Sequence, residues 1–154
     1  MKNKIASALF FCIFFAVSVA VAQEYEGSVG VRIGSAQGIS YKTCNRDGLG
    51  LEGVIAYRNE GIQAMAWILQ SREIGRTDTW LYAGVGAHGG VRGFMTPDQA
   101  VRPVYGADVV VGIEYVFPHT PMALSMDLKP LVELAGGKPV FSGNNGGVTL
   151  RFLL

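Results

Sequence analysis

Apolar and polar residues alternate with a period of two along most of the chain. Turn-forming residues separate the alternating runs, and no sustained helical period occurs after residue 22. Together these features predict an all-β fold, and the strand count favours an eight-stranded antiparallel up-and-down barrel. The predicted strands lie near Glu24–Gly34, Gly38–Cys44, Gly48–Arg58, Gly61–Gln70, Thr79–Gly90, Pro103–Phe117, Pro121–Leu134 and Gly147–Leu154. Groups such as Asn45-Arg46-Asp47-Gly48, Asn59-Glu60-Gly61, Pro118-His119-Thr120-Pro121 and Gly136-Gly137-Lys138-Pro139 mark the turns. Two connections are expected to be longer, Gly93–Arg102 and Ala135–Gly146.

Each run assigns its own faces. In the first, Val29, Val31 and Ile33 oppose Glu26, Ser28, Gly30 and Arg32. In the second, Ile39 and Tyr41 oppose Ser40 and Lys42. In the third, Leu49, Leu51, Ile55 and Tyr57 oppose Glu52 and Arg58. The fourth is ambiguous, because Met65, Trp67 and Leu69 compete with Ile62, Ala64 and Ile68 for the apolar face. The fifth sets Leu81, Ala83, Val85 and Ala87 against Tyr82, Gly84, Gly86 and His88. The sixth sets Tyr105, Val109, Val111, Ile113, Tyr115 and Phe117 against Asp108 and Glu114. In the seventh, Met122, Leu124, Met126 and Leu128 oppose Ser125, Asp127, Lys129 and Glu133. In the last, Val148, Leu150, Phe152 and Leu154 oppose Thr149 and Arg151.

A targeting segment precedes the strands. Lys2 and Lys4 are followed by an apolar run from Ile5 to Val21 and by the small-x-small site Ala20-Val21-Ala22. This is the pattern of a signal peptide over residues 1–22, leaving 23–154 as one barrel domain. Its removal takes away two of the 13 basic residues, so 11 face 12 acids and the net charge becomes −1. No basic surplus remains for nucleic acid. Of the two cysteines only Cys44 stays, which excludes an internal disulfide scaffold.

Alternation fits two closed architectures. A soluble barrel turns its apolar face inward, whereas an outer-membrane barrel turns it to lipid and fills the lumen with polar groups. Three features favour lipid. Tyr105 to Tyr115 spans ten residues. At ~3.3 Å per residue and a tilt of about 40°, that span gives an apolar band roughly 25 Å tall. Aromatic residues edge the band, with Tyr57, Tyr105, Tyr115 and Phe117 forming the expected girdle and Val109, Val111, Ile113, Leu124, Met126 and Leu128 the lipid-facing surface. Gly30, Gly84, Gly86, Gly106 and Gly112 fall on the polar face, where small residues make room for long charged ones. Finally, the polar face carries Arg32, Lys42, Arg58, Lys129 and Arg151 against Glu26, Glu52, Asp108, Glu114, Asp127 and Glu133. Five cations facing six anions permit the pairing that burial demands.

With these features the chain resembles the small eight-stranded outer-membrane β-barrel proteins of Gram-negative bacteria. The resemblance covers Gln23 to Leu154. Its most specific part is Gly147-Val148-Thr149-Leu150-Arg151-Phe152, which resembles the family's C-terminal assembly signal, with Gly147, Leu150 and Phe152 at the matching positions. The resemblance implies recognition by the barrel assembly machinery. It departs from the family in that Leu153 and Leu154 follow the aromatic and Gly146 precedes the glycine. The segments "GVGAHGG" and "GIEYVFPHTPMALSMDLKPLVEL" are similar to stretches of uncharacterised small barrels, which implies the fold and no activity.

Motifs for chemistry are sparse. Gly84-Val85-Gly86-Ala87-His88-Gly89 spells a dinucleotide fingerprint, but no helix pattern follows to present its N-terminus to a pyrophosphate. His88 and His119 are the only histidines, too few for a metal site of ordinary spacing. His88, Ser125 and Asp127 are the one set from which a catalytic triad could be drawn, and their spacing does not argue for one. No enzyme, cofactor or metal is therefore expected. The expected role is structural or surface-interactive, through the outer loops of a monomer held in outer-membrane lipid. Eight strands leave an interior that side chains fill. The alternatives are a narrow ion or small-solute channel, porin-like in kind, and a soluble periplasmic ligand-binding barrel.

Overall fold

A computed structural model describes residues 26–45, 47–75, 77–93, 100–135 and 138–154, with the side chains of Glu26 and Ala135 excepted. The expected signal peptide lies outside the described residues. Ten strands form: β1 (Glu26–Gly34), β2 (Gln37–Cys44), β3 (Leu49–Arg58), β4 (Gly61–Glu73), β5 (Thr79–Arg92), β6 (Arg102–Val116), β7 (Met122–Leu128), β8 (Leu131–Ala135), β9 (Lys138–Ser142) and β10 (Gly146–Leu153). All pairings are antiparallel, and β5 pairs with β6 to close the sheet. The result is an eight-stranded up-and-down barrel, because β7 with β8 and β9 with β10 each act as one strand.

The two interruptions have local causes. Pro130 has no N–H to give the ladder, yet β6 pairs with β7 and β8 in one unbroken register (111 + 128 = 239 and 108 + 131 = 239). On the other side, Leu128 faces Gly146 and Leu131 faces Ser142, so two residues, 129 and 130, oppose three, 143 to 145. That single extra residue is a β-bulge.

This corrects the expectation of a long loop over Ala135–Gly146. Most of that segment is strand, and only residues 136 and 137 separate β8 from β9. Pro139 is accommodated because β9 ends the sheet order and pairs on one side only. The connections β1–β2 and β3–β4 at the same end also leave two residues each, 35–36 and 59–60. Asn59 and Glu60 both have positive φ, 48° and 58°, the backbone of a type I′ hairpin. At this far end only the connection between Arg92 and Arg102 is long.

The registers also set the shape. Stepping across paired residues from Glu26 to Cys44, Gly50, Leu69, Gly84 and Val110, and on through Lys129 and Asn145, leads back to position 36 (36 − 26 = 10). An offset of ten residues over eight strands tilts them by roughly 40°, given ~3.3 Å per residue and ~4.8 Å between strands.

The apolar faces point outward. Val31, Ile39, Ile55, Ile68, Val85 and Leu128 are each more than half exposed. All six residues expected to face lipid and all four girdle residues are outward and exposed. Tyr57 and Tyr105 sit toward the far end, while Tyr115 and Phe117 meet edge-to-face, at 5.1 Å, toward the end where β1 begins. β4 resolves its ambiguity by turning Met65, Trp67 and Leu69 inward and leaving Ile62, Ala64 and Ile68 outside.

Candidate functional site: the barrel lumen

Every expected lumen charge whose side chain is described is buried: Arg32, Lys42, Glu52, Arg58, Asp108, Glu114, Asp127, Lys129, Glu133 and Arg151. Glu26 lies in β1 but its side chain is outside the described set. Alternation put these groups on one face, and closure of the barrel made that face the interior. Glycine allows the crowding. A Cβ at Gly30 would stand 2.7 Å from Thr149 Cγ2 and 2.9 Å from Ser40 Oγ. One at Gly147 would meet Arg32 Nη2 at 2.7 Å.

In the half nearer the start of β1, ion pairs cross the lumen. The Arg32 guanidinium donates to both oxygens of Asp127, at 2.5 and 2.6 Å, and to Thr149 Oγ1 at 3.3 Å. Tyr82 donates its hydroxyl to Asp127 Oδ2 at 3.2 Å. Lys42 Nζ meets Glu114 Oε1 at 2.8 Å and lies 4.9 Å from the centre of the Tyr82 ring. Arg151 donates to Glu52 Oε1 at 2.6 Å and to Ser40 Oγ at 2.9 Å, and its Nε stands 3.0 Å from Glu114 Oε2. The last contact is an ion pair without hydrogen-bond alignment, so Nε and Oε2 count among the unbonded polar atoms. Bidentate and charge-assisted pairing of this kind offsets the cost of taking charge out of water.

Toward the far end the network loosens. His88 Nδ1 donates to Asp108 Oδ1 at 2.7 Å, while Nε2 stands 3.5 Å from Glu133 Oε2 without a hydrogen bond. Glu133 accepts from Arg92 Nη2 at 2.6 Å and lies 4.0 Å from Arg58 Nη1. Arg58 Nη2 donates to Asn145 Oδ1 at 2.8 Å. Lys129 reaches across to β4, with Nζ 2.8 Å from Met65 Sδ and 4.9 Å from the centre of the Trp67 ring. Among the described residues no carboxylate lies within ion-pair distance of it.

The structure does not bring His88, Ser125 and Asp127 together. Asp108 holds His88, Ser125 donates to the Thr149 carbonyl at 3.4 Å, and Asp127 belongs to Arg32 and Tyr82. The GxGxxG run lies inside β5, which continues as strand to Arg92, so no helix begins at it. Among the described residues, no group of three or more His, Cys, Asp or Glu is arranged to hold a metal ion. Of the assembly-signal residues, Gly147 faces Arg32, while Leu150 and Phe152 face outward.

Sequence reasoning missed several lumen residues, among them Ser71, which lies past the expected end of the fourth strand. Arg92 lies beyond the expected end of the fifth strand, although the alternation His88, Gly90, Arg92 continues to it. Asn145 enters the lumen through the bulge, which has no signature of its own in the sequence. Gln63 belongs to the strand whose face was ambiguous. Comparison of the chain with protein-family models, with curated proteins and with solved structures gives no match.

Proposed function

We propose that this chain is an outer-membrane β-barrel with a plugged lumen, acting as a structural or surface-interaction element through the long connection between Arg92 and Arg102. One observation carries the reading: the barrel is inverted, with branched aliphatic side chains on its outer wall and ten charged side chains buried within. A water-soluble barrel would expose the charges and bury the aliphatics, and soluble monomers rarely expose continuous apolar surface on this scale. Lipid makes the same distribution favourable, and aromatic residues at both edges of the outer wall suit a membrane interface. With an even number of strands the chain returns to its starting side, the periplasmic one in such barrels. The long connection then faces outward from the cell.

The ion pairs of the near half support a non-conducting lumen. Arg32, Arg151 and Lys42 all reach across to carboxylates on other strands, so side chains occupy the axis. Fractionating the native cell and comparing cold and boiled gel mobility tests the reading. A heat-modifiable band in the outer-membrane fraction, with no conductance above background in planar bilayers, is the expected result. A soluble periplasmic band would overturn the location, and steady conductance would overturn the plug.

A further inference from the structure

We infer that the far half of the lumen binds a small oxyanion, a free carboxylate or inorganic phosphate, between Lys129, Gln63 and Arg58. The first ground is charge. Among the described lumen residues of that half, Arg58, Arg92 and Lys129 are balanced only by Asp108 and Glu133. Lys129 is 1% exposed and touches a thioether and an indole ring rather than an acid. Asp108 and Asp127 act on this ammonium only through space, without contact, and a buried ammonium that no acid touches is costly, so a site of this composition favours an anion.

The second ground is independent of charge. Gln63 is fully buried, and both its amide nitrogen and its amide oxygen lack a hydrogen-bond partner. Buried amides are almost always bonded, so this one is poised for a group the chain does not supply. Gln63 and Met65 share the inner face of β4, two residues apart, and Lys129 Nζ touches the Met65 sulfur. The unpartnered amide and the acid-free ammonium therefore lie on the same patch of wall. Arg58 enters from the neighbouring strand β3, where Ala56 pairs with Gln63, and its Nη1 also makes no hydrogen bond. These three donors can converge on one carboxylate or phosphate group. A halide would supply charge but not several acceptor atoms for separated donors.

Entry is from the far end, past Arg92, whose side chain is one-third exposed and which already draws a carboxylate to itself. Among the described residues the near half offers no second site of this kind, because Arg32, Lys42 and Arg151 each have their own acid.

The test uses the full chain in zwitterionic detergent and inorganic phosphate as the probe, followed by calorimetry and by thermal unfolding. Saturable binding with one site per chain is expected, with a matching rise in the unfolding temperature. Lys129→Met should weaken binding about tenfold or more, the loss of one charge-assisted hydrogen bond, and Gln63→Leu about fivefold. Val31→Leu, on the outer wall, should leave binding unchanged. Phosphate also stabilises proteins non-specifically by exclusion from their surface. An equal stabilisation of wild type and Lys129→Met would therefore overturn the site, as would the absence of saturable binding. Equal protection by chloride would overturn the assignment to an oxyanion. Gln63→Leu keeps every charge, so it remains informative should Lys129→Met fail to fold.

Discussion

The two halves of the lumen draw on the same residue types with opposite results. Near the start of β1, Arg32, Lys42 and Arg151 meet Asp127, Glu114 and Glu52, each cation within 2.8 Å of its acid. Toward the far end, Glu133 serves Arg92 closely and Arg58 at 4.0 Å, His88 takes Asp108, and Lys129 is left to Met65 and Trp67. A high content of buried charge therefore does not by itself make a seal. Sealing needs one acid per cation, short distances across the axis, and small residues such as Gly30 that let the pairs come together. Where that parity fails, the same barrel presents donors in search of a partner.

The strongest way to break this comparison is Asp127→Ala. It leaves the Arg32 guanidinium, 2% exposed, without its bidentate partner, and should destabilise the barrel by about 3–5 kcal/mol in urea unfolding of the reconstituted protein. A loss below about 1 kcal/mol would mean the near-half pairs are not sealing the lumen, because exposed pairs contribute on that scale. Gly30→Val should cost about 2 kcal/mol by the same measurement, since its side chain would press on Thr149, Ser40 and Arg151. Glu52→Gln should cost about 1–2 kcal/mol, because Arg151 keeps Ser40 and stays close to Glu114. The smallest effect is expected from Lys129→Met in the absence of added anion. Replacing a buried cation that has no acid by an apolar side chain of similar length should change stability by less than about 1 kcal/mol, or raise it. If Lys129→Met destabilised the barrel as much as Asp127→Ala, the two halves would be equivalent and the comparison would fail.

Much of this was legible along the chain. Val29, Val31 and Ile33 against Arg32, or Leu124, Met126 and Leu128 against Asp127 and Lys129, declare their faces because successive side chains of a strand point to opposite sides. β4 did not declare itself, because both its faces are apolar. Its inward face packs Met65, Trp67 and Leu69 with Val54 and Val110, so part of the lumen wall is hydrophobic core. The segment Ala135–Gly146 reads as a loop, since glycine, proline and asparagine crowd it. It becomes strand because β8 offers a template on which Lys138 to Ser142 can pair. Local composition argues against that strand, and the tertiary ladder overrides it.

Antiparallel strands and the membership of the charged face follow from the order of residues, because a period of two is a property of the chain alone. Closure with a ten-residue offset, the extra residue that bulges opposite Pro130, and the acid that each cation reaches arise only when the strands assemble. Those outcomes join residues as far apart as Arg32 and Asp127 or Arg151 and Glu52. The spacing of such residues along the chain carries no information about their separation in space. Partner choice across a lumen is set by register and tilt summed around eight strands, so the half that is sealed and the half that is left with unspent donors emerge only when the barrel closes.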